Sequence, residues 1–547
     1  TNNENLPPVA KITGSGKVGK GTEKTYKATS SYDPNGKVTS YKWEVSGGAT
    51  IKSGASQDTV VVAFPNSETT CSITLTVADD NGATAQAVKE VEVSDKTSTI
   101  DFREEQIYFV ITTRFYDGDL SNNVHCWDEN AATPDNDPSW RGDFKGLIEK
   151  LDYIKALGFT AVWVTPVVEN CSGLDYHGYH AMNFSKVDPR YESEDVDFQT
   201  LIDEVHARDM KLVLDVVFNH TGNFGEDTLA PMFVKDYVSG DHEDINSILK
   251  FHPNSLLNQE AYLAAPGAQQ YQMRLALMKN TDGVNHDTHN YYHHYGHGNW
   301  DTFSSQWMQI AGDCVDLNTE NPYVLEYIVK AYSLYIQMGV DAFRIDTVKH
   351  ISRYTFNKEF IPAFMEAGGE NFYIFGETCA RYRGRWNEGV PALSPSFYTW
   401  KENKDFAWSQ SDHTVNSASA SAHFATYKSD FAHPAWADGI ANHLLNGNDY
   451  HTPDWSMRSH LDQIDFPMHW NFDSASGAFS VHGEDWRYND ATYNVVYVDS
   501  HDYAPCGDDT HRFHRGTDVW AENLDLMFTF RGIPCLYYGS EIEFMKG

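Results

Sequence analysis

The sequence predicts an α/β protein built on a (β/α)8 barrel, preceded by an all-β domain. Apolar, β-rich runs alternate with segments of helical spacing, such as residues 198–210 and 324–339, and this order is typical of a parallel sheet. Polar residues gathered at the carboxyl ends of strands are typical of one face of such a barrel. Carboxylates stand in or at the ends of four apolar runs, which are 211–220, 342–346, 372–378 and 494–502.

The first 97 residues differ in composition from the rest of the chain. Short runs rich in Thr and Val, such as SYKWEV and SITLTVAD, alternate apolar and polar residues and are separated by the turn sequences DPNG and DDNG. With SSYDPNGKVTSYKWEV and a closing LTVADDNG, residues 1–97 resemble a PKD-type immunoglobulin-like domain, and the resemblance implies a β-sandwich. We expect residues 98–547 to form the barrel. Trp43 is expected in the sandwich core, and the alternative is a surface platform for a sugar ring.

The segment GVDAFRIDTVKH, residues 339–350, is the most informative part of the chain. Arg344 and Asp346 lie two residues apart at the end of a predicted buried strand, so their side chains leave it on the same face. A guanidinium beside a carboxylate keeps that carboxylate ionised, which a nucleophilic Asp requires at neutral pH. A structural ion pair at a strand end is the alternative interpretation.

Seven motifs have the order found in the α-amylase family of glycoside hydrolases (family 13 type), and the chain resembles that family from about residue 101 to 547. The motifs are GFTAVWVTPV, DVVFNH, CVDLN, GVDAFRIDTVKH, FGET, VDSHD and GIPCLYYG. The resemblance implies a (β/α)8 TIM barrel with domain B, residues 221–312, inserted after the third strand. It also implies that Asp346 is the nucleophile, Glu377 the general acid/base, and Asp502 the third carboxylate, which binds sugar hydroxyls.

The chemistry of acetal cleavage needs such a set. One carboxylate must lie under the anomeric carbon while a protonated one reaches the leaving oxygen, and in retaining enzymes the two carboxyl groups are about 5–5.5 Å apart. Glu377 has no adjacent cation in sequence and follows an apolar strand, so we expect burial to raise its pKa.

Several other residues are implied in substrate binding by the resemblance. Tyr179 in DYHGYH would stack on the sugar at the cleavage point, and His220 and His501 would bind hydroxyls of the same sugar. Lys349 and His350 would lie on the leaving-group side, where the pair is typical of enzymes that act on α-1,4 bonds. Arg344 completes this set.

The predicted activity is that of a retaining, endo-acting α-1,4-glucan hydrolase, an α-amylase that cleaves starch-like polysaccharide or maltooligosaccharides through a covalent glycosyl-Asp intermediate. Cyclising transferases of the family have a bulky aromatic residue four positions before Asp316, and here the residue is Gly312, which favours hydrolysis. An α-glucan transferase is the first alternative. A catalytically silent glucan-binding relative is the second, and the presence of all three carboxylates argues against it.

The resemblance implies Ca²⁺ at one or two sites. The first is similar to the N-terminal calcium site of cyclodextrin glucanotransferases, and the alternative is an Asx-rich surface turn. Its ligands would be Asp117, Asp119, Asn122, Asn123, Asp143 and the Arg141 carbonyl. The second resembles the ion shared by the barrel and domain B, with Asn219, Asp316 and the His350 carbonyl as ligands. Histidines in residues 286–297 raise a zinc site as an alternative to a solvated, sugar-facing loop.

Composition excludes other classes of partner. The formal net charge of -36 disfavours nucleic acid and anionic membrane surfaces, and no apolar run approaches the roughly 18 residues of a transmembrane helix. The seven cysteines lack metal-ligand spacing, and their odd number leaves disulfide pairing and redox compartment open.

We further expect an extracellular monomer, secreted or tethered to the cell surface, with a processed N-terminus. The family pattern includes a last barrel helix and a C-terminal β domain that this sequence lacks, so we expect the natural protein to continue beyond Gly547. The long excursion at residues 382–460 carries tryptophans that would either extend a glucan groove or anchor the excursion on the barrel.

Overall fold

The computed structural model describes the two expected units. With short gaps, the described residues are 5–94, 101–122, 141–170, 177–222, 290–379, 393–401, 458–503 and 516–544, together with a few residues between 408 and 419. Several predictions fall outside them: the domain boundary at residues 97–98, Asn123, Gly312, most of domain B, most of the excursion at 382–460, and Cys126, Cys171 and Cys506. The other cysteines are buried and carry no disulfide; they are Cys71, Cys314, Cys379 and Cys535.

The N-terminal unit is a sandwich of two sheets. Its strands are β1 (Lys17–Gly19), β2 (Glu23–Lys27), β3 (Val38–Val45), β4 (Thr50–Ser53), β5 (Thr59–Ala63), β6 (Thr69–Asp79) and β7 (Thr84–Ser94). One sheet has the order β1-β7-β6-β3 and the other β2-β5-β4. Trp43 is 3% exposed and its indole N–H donates to the Gln57 carbonyl at 2.8 Å, so it belongs to the core and does not form a surface platform.

The second unit is the expected parallel barrel. Its strands in barrel order are β8 (Ile107–Val110), β9 (Ala161–Val164), β12 (Lys211–Val216), β15 (Ala342–Ile345), β16 (Tyr373–Gly376), β17 (Asp462–Gln463), β18 (Val495–Val496) and β19 (Ile533–Tyr537). A parallel bridge between Ile464 and Val495 joins β17 to β18 and closes the ring. Two antiparallel strand pairs lie beside it, β10 (Val168–Asn170) with β11 (Ala181–Val187), and β13 (His220–Gly222) with β14 (Cys314–Asp316).

Helices follow the barrel strands and pack their apolar faces on them. They are α1 (Phe144–Ala156), α2 (Phe198–Ala207), α3 (Pro322–Met338), α4 (Arg353–Thr355), α5 (Ile361–Gly368), α6 (Pro395–Tyr398), α7 (Phe466–His469), α8 (Ala475–His482) and α9 (Thr517–Thr529). A π-helical turn, Phe356–Phe360, joins α4 to α5.

Local signals explain where the two predicted helices begin and end. Asp197 caps α2 by accepting the backbone N–H of Thr200 at 2.9 Å, and α3 begins with Pro322 at its first position. Gly339 ends α3 in the left-handed conformation, at φ 118°. The predicted helix at 198–210 ends three residues early, because Asp209 turns the chain with φ 55°.

The sixth strand is shorter than the sequence indicated. The run LDQIDFPMHW, residues 461–470, predicts a sixth strand nearby, but only Asp462–Gln463 pair as β17, and the chain then enters helix α7 at Phe466. Pro467 cannot donate to a sheet ladder and suits the first turn of a helix, which accounts for the change. The side chain of Asp465 caps this helix by accepting the Met468 N–H at 3.0 Å.

Helix α2 joins the sandwich to the barrel. Lys89 of β7 donates to Asp203 Oδ2 at 2.6 Å, and the Gly14 N–H donates to Gln199 Oε1 at 3.0 Å. The Gln199 amide also donates to the Met338 carbonyl at the end of α3, at 3.0 Å. These hydrogen bonds between the two units are polar and specific.

We predict that Lys89→Met destabilises the docked sandwich by about 1 kcal/mol, because a mostly buried ammonium and its charge-assisted hydrogen bond to Asp203 are lost. The comparison is Lys42→Met, which removes an exposed pair with Glu44 on β3 and should change stability little. Chemical denaturation of both variants measures this. Equal stability of the two variants would show that the contact across α2 contributes nothing.

Candidate active site

The carboxyl ends of adjacent strands bring the predicted carboxylates together. Asp346 directly follows β15 and Glu377 directly follows β16. The sheet ladder continues through both residues, since the Asp346 N–H donates to the Val216 carbonyl at 2.9 Å and the Glu377 N–H donates to the Ile345 carbonyl at 2.8 Å. The backbone of each residue is therefore fixed by the barrel itself.

Arg344 is the centre of the site and is almost completely buried, with 1% of the residue exposed. Its Nη1 donates to Asp346 Oδ1 at 2.8 Å and to Asp215 Oδ1 at 2.9 Å, and its Nη2 donates to Glu377 Oε2 at 2.5 Å. One guanidinium thus binds three carboxylates from three neighbouring strands. Because Asp346 and Glu377 bind the two ends of one planar group, their carboxyl groups lie side by side.

Asp215 is a member of the site that the sequence analysis did not assign. It lies on β12 directly opposite Arg344 in the strand register, and both are almost fully buried. Its Oδ2 also accepts the Trp163 indole N–H at 3.0 Å and the Tyr179 hydroxyl at 2.8 Å. The carboxylate in the motif DVVFNH was the available signal, but its partner became evident only from the pairing of β12 with β15.

Burial dominates the electrostatics of the three carboxyl groups. Burial has the largest effect on the pKa of Glu377 and raises it. The charge of Arg344 lowers this pKa and the charge of Asp346 raises it, and the net shift is upward. Burial also raises the pKa of Asp346, opposed by Arg344, and it raises the pKa of Asp215 to about 7. Arg344 therefore acts on Asp346 in the predicted direction, but desolvation outweighs it. The raised pKa of Glu377 suits a group that must carry a proton at neutral pH.

Tyr179 and His501 form one wall of the site. Their rings are stacked with centroids 5.8 Å apart and planes 4° from parallel, and the Tyr179 hydroxyl lies 3.4 Å from His501 Nε2. His501 Nε2 also lies 3.1 Å from Asp502 Oδ2, and the Asp502 side chain is 47% exposed. His220 is buried and its Nε2 contacts the Tyr179 carbonyl at 3.0 Å, so it supports Tyr179 from behind.

Lys349 and His350 are buried behind the carboxylates. Lys349 Nζ donates to the Cys379 carbonyl at 2.9 Å and lies 3.3 Å from Asp301 Oδ1. His350 Nδ1 contacts the Ser305 carbonyl at 2.9 Å. Both side chains hold the segment at residues 300–306, near the end of domain B, and neither presents more than a few per cent of its surface to solvent.

Comparisons with known proteins identify the family of each unit. The family model for the α-amylase catalytic domain matches residues 106–547, and the model for a PKD domain matches residues 5–94. The chain belongs to the α-amylase family. Its N-terminal unit is a PKD domain.

The curated relatives of this α-amylase-family chain include cyclomaltodextrin glucanotransferases. The enzyme from Klebsiella oxytoca is 29% identical over 305 residues, 53% of this chain and 40% of the relative. The enzyme from Bacillus sp. (strain 1011) is 25% identical over 484 residues, 84% of this chain and 52% of the relative. A beta/alpha-amylase from Paenibacillus polymyxa is 27% identical over 83% of this chain and 29% of the relative. The chain thus spans about half or less of these relatives.

Solved structures share the fold. A cyclomaltodextrin glucanotransferase with a three-domain ABC distribution superposes with a TM-score of 0.51 at 21% identity, covering 80% of this chain and 72% of that one. The γ-type enzyme from alkalophilic Bacillus clarkii gives a TM-score of 0.51 at 22% identity, covering 82% of this chain and 52% of that one. At these identities the similarity concerns the barrel architecture.

The family implies a calcium ion between the barrel and domain B, and three predicted ligands converge there. One end of the Asn219 amide lies 3.3 Å from Asp316 Oδ1 and 3.0 Å from the His350 carbonyl oxygen. With its oxygen at that end, the amide completes a cluster of three hard oxygens, the donor set that Ca²⁺ prefers. With its nitrogen at that end, the amide donates hydrogen bonds to Asp316 Oδ1 and to the His350 carbonyl oxygen. These residues fit the ion.

His293 binds the other side of Asp316. Its Nδ1 contacts Asp316 Oδ2 at 2.6 Å and its Nε2 contacts Glu320 Oε2 at 2.5 Å. Burial lowers the pKa of His293, but the two carboxylates outweigh burial and raise it to about 10. The expected solvated loop is therefore wrong for His293, which is a buried ion-pair partner. Among the described residues no group of three or more His, Cys, Asp or Glu side chains is arranged for a metal ion, which gives the zinc alternative no support.

The N-terminal calcium cluster has a different arrangement. Asp143 caps helix α1, and its carboxylate accepts the N–H groups of Gly118, Asp119 and Gly146 and the Asn122 side-chain amide at 2.7–3.1 Å. These four hydrogen bonds cap helix α1 and tie the loop at residues 118–122 to it without a metal. The cluster therefore has the structure of the Asx-rich alternative, although Asn122 Oδ1 is buried and accepts no hydrogen bond from the described residues. Calcium at this cluster stays a prediction; the remaining predicted ligands there are Asp117, Asp119 and Arg141.

We predict that excess chelator lowers the melting temperature, because a hundredfold excess of calcium over its Kd stabilises the native state by about 2.7 kcal/mol. Asn219→Ala should reduce this chelator effect, because it removes one of the three converging oxygens at the site between the barrel and domain B. Asn318→Ala, which removes a neighbouring amide bonded to the Asn290 carbonyl, should keep it. An unchanged melting temperature in chelator, with no calcium by elemental analysis, would contradict both predicted sites.

Proposed function

We propose that the chain is a retaining, endo-acting α-1,4-glucan hydrolase of the α-amylase type. The observation that supports it most is the binding of Asp346 and Glu377 to the two ends of the Arg344 guanidinium. A retaining enzyme needs its nucleophile and its general acid near each other, so that both can act on one glycosidic bond.

In the first step Asp346 attacks the anomeric carbon while Glu377 gives its proton to the glycosidic oxygen. The bond between that carbon and oxygen breaks, the leaving glucan departs as an alcohol, and the remaining glycosyl group is an ester of Asp346. Glu377, now ionised, takes a proton from water as the water attacks the same carbon. The sugar leaves with its original anomeric configuration, and Asp346 is regenerated as a carboxylate.

The remaining site residues position the sugar in this proposal. Tyr179 offers a ring face to the pyranose, and His501 and the exposed Asp502 offer hydrogen bonds to hydroxyls at the open side of the site. His220 holds Tyr179 in place. We infer that Lys349 and His350 act on the leaving-group side through residues 300–306, whose Asp301 side chain and Ser305 carbonyl they bind.

A transferase is the second candidate, and the curated relatives favour it. Two of the three relatives described above are named cyclomaltodextrin glucanotransferases, and both reactions share the glycosyl-Asp346 intermediate. They differ in whether water or a sugar hydroxyl attacks that ester. Gly312, which favours hydrolysis, lies outside the described residues. Product analysis on soluble starch separates the candidates: linear reducing sugars support hydrolysis, and cyclic or elongated glucans support transfer.

We infer an extracellular location for the enzyme, with starch or maltooligosaccharides as substrates and calcium as a structural ion. Starch outside a cell must be cleaved there, because the polymer is too large to cross a membrane. Within the described residues, no helix is long and apolar enough to cross a membrane. A monomeric state stays a prediction.

We predict that Asp346→Asn lowers turnover of maltooligosaccharides by several orders of magnitude, because the covalent step loses its nucleophile. Glu377→Gln should do the same on natural glucans but retain much of the first step on substrates with good leaving groups, which depart without a proton. Steady-state and burst kinetics on both substrate types measure this. An equal loss on both types would remove Glu377 from the role of acid.

A further inference from the structure

A hydrogen bond between two side chains joins two loops of the site. Both residues lie outside the seven family motifs given above. Cys379 Sγ and the Tyr503 hydroxyl lie 2.9 Å apart, and either group can donate. Cys379 is two residues after Glu377, and Tyr503 directly follows Asp502. The contact, here called the Cys379–Tyr503 clip, links the loop after β16 to the loop after β18, across the position of β17 in the barrel.

Cys379 is also held from the opposite side. Its carbonyl accepts Lys349 Nζ at 2.9 Å, and Lys349 in turn lies 3.3 Å from Asp301 Oδ1. The thiol is buried, with 6% of the residue exposed. The chain just past Glu377 is therefore fixed by its backbone towards β15 and by its side chain towards β18.

Tyr503 provides a rigid end for the clip. Its ring packs edge-on against Phe466 at 5.5 Å and against Trp470 at 5.4 Å, both in or next to helix α7. Its backbone and Ser500 form two hydrogen bonds, from the Tyr503 N–H to Ser500 Oγ at 3.2 Å and from the Ser500 N–H to the Tyr503 carbonyl at 2.9 Å. The loop that carries His501 and Asp502 is therefore closed on itself and anchored on the barrel.

We propose that Cys379 and Tyr503 are positioning residues that fix the general acid/base loop relative to the loop of the third carboxylate. The proposal rests on the function proposed above. A general acid must stay within hydrogen-bond reach of the leaving oxygen, and a displacement of about 1 Å can cost up to a hundredfold in rate. A buried hydrogen bond between the two loops restricts such displacement without touching the substrate.

The test uses the full chain and a double-mutant cycle. Cys379→Ala and Tyr503→Phe should each lower kcat on a short maltooligosaccharide by about 3- to 10-fold with little change in KM, the range expected for one hydrogen bond that orients a catalytic group. The double variant should be no slower than the slower single variant, because both changes remove the same bond. Cys379→Ser, which keeps a donor and acceptor, should recover most of the rate.

Matched controls remove equivalent groups elsewhere. Cys71→Ala removes a buried thiol that contacts the Gly47 carbonyl in the PKD domain, and Tyr335→Phe removes a buried hydroxyl that donates to the Phe184 carbonyl. Both should leave kcat within twofold when all proteins are assayed well below their melting temperatures.

The outcomes separate the two proposals. A wild-type chain with no activity on any α-glucan overturns the proposed function. An active wild type whose Cys379→Ala and Tyr503→Phe variants keep full kcat overturns the clip alone. Strictly additive losses, or losses that appear only in the melting temperature, also overturn the clip and assign these side chains to stability.

Discussion

The site depends on one buried cation shared by three carboxylates. Arg344 neutralises one negative charge, while Asp215, Asp346 and Glu377 carry three when all are ionised. Uncompensated charge in a low-dielectric interior is expensive, so the site favours bound protons at neutral pH. Retaining catalysis has the same requirement, because one carboxyl group must be an acid while its neighbour is a nucleophile. A guanidinium is suited to this role since it stays charged and binds carboxylates at both ends.

The barrel keeps this charge cluster in place. Asp215 and Arg344 face each other in register on β12 and β15, and Trp163 on β9 donates to Asp215 from the next strand. The cluster is thus built mainly on strands, whose positions are set by ladder hydrogen bonds and core packing. Groups that we propose to bind the sugar lie on the loops beyond the strands, among them His501 and Asp502, and this division is typical of parallel barrels.

The predictable parts of the molecule are local in sequence. The apolar run Ala342–Ile345 predicts a strand, and the spacing of Arg344 and Asp346 puts their side chains on one face. Helices α2 and α3 are predicted by the helical spacing of their apolar residues and by their capping residues. The unpredicted parts depend on contacts between residues far apart in the chain. The ion pairs of His293 with Asp316 and Glu320, and the bond of Cys379 to Tyr503, carry no signature in either partner's neighbourhood. Asp143 shows the opposite limit, since its carboxylate in an Asx-rich cluster accepts nearby backbone N–H groups as a helix cap.

The most direct test of this account is to locate the covalent intermediate. Glu377→Gln incubated with an α-maltosyl fluoride should form the ester, because fluoride leaves without a proton, and should then hydrolyse it slowly, because the base is lost. Peptide mass spectrometry of the quenched protein should find the maltosyl group on Asp346. No adduct, or an adduct on Asp502 or Asp215, would contradict the assignment of Asp346 as the nucleophile beside Arg344.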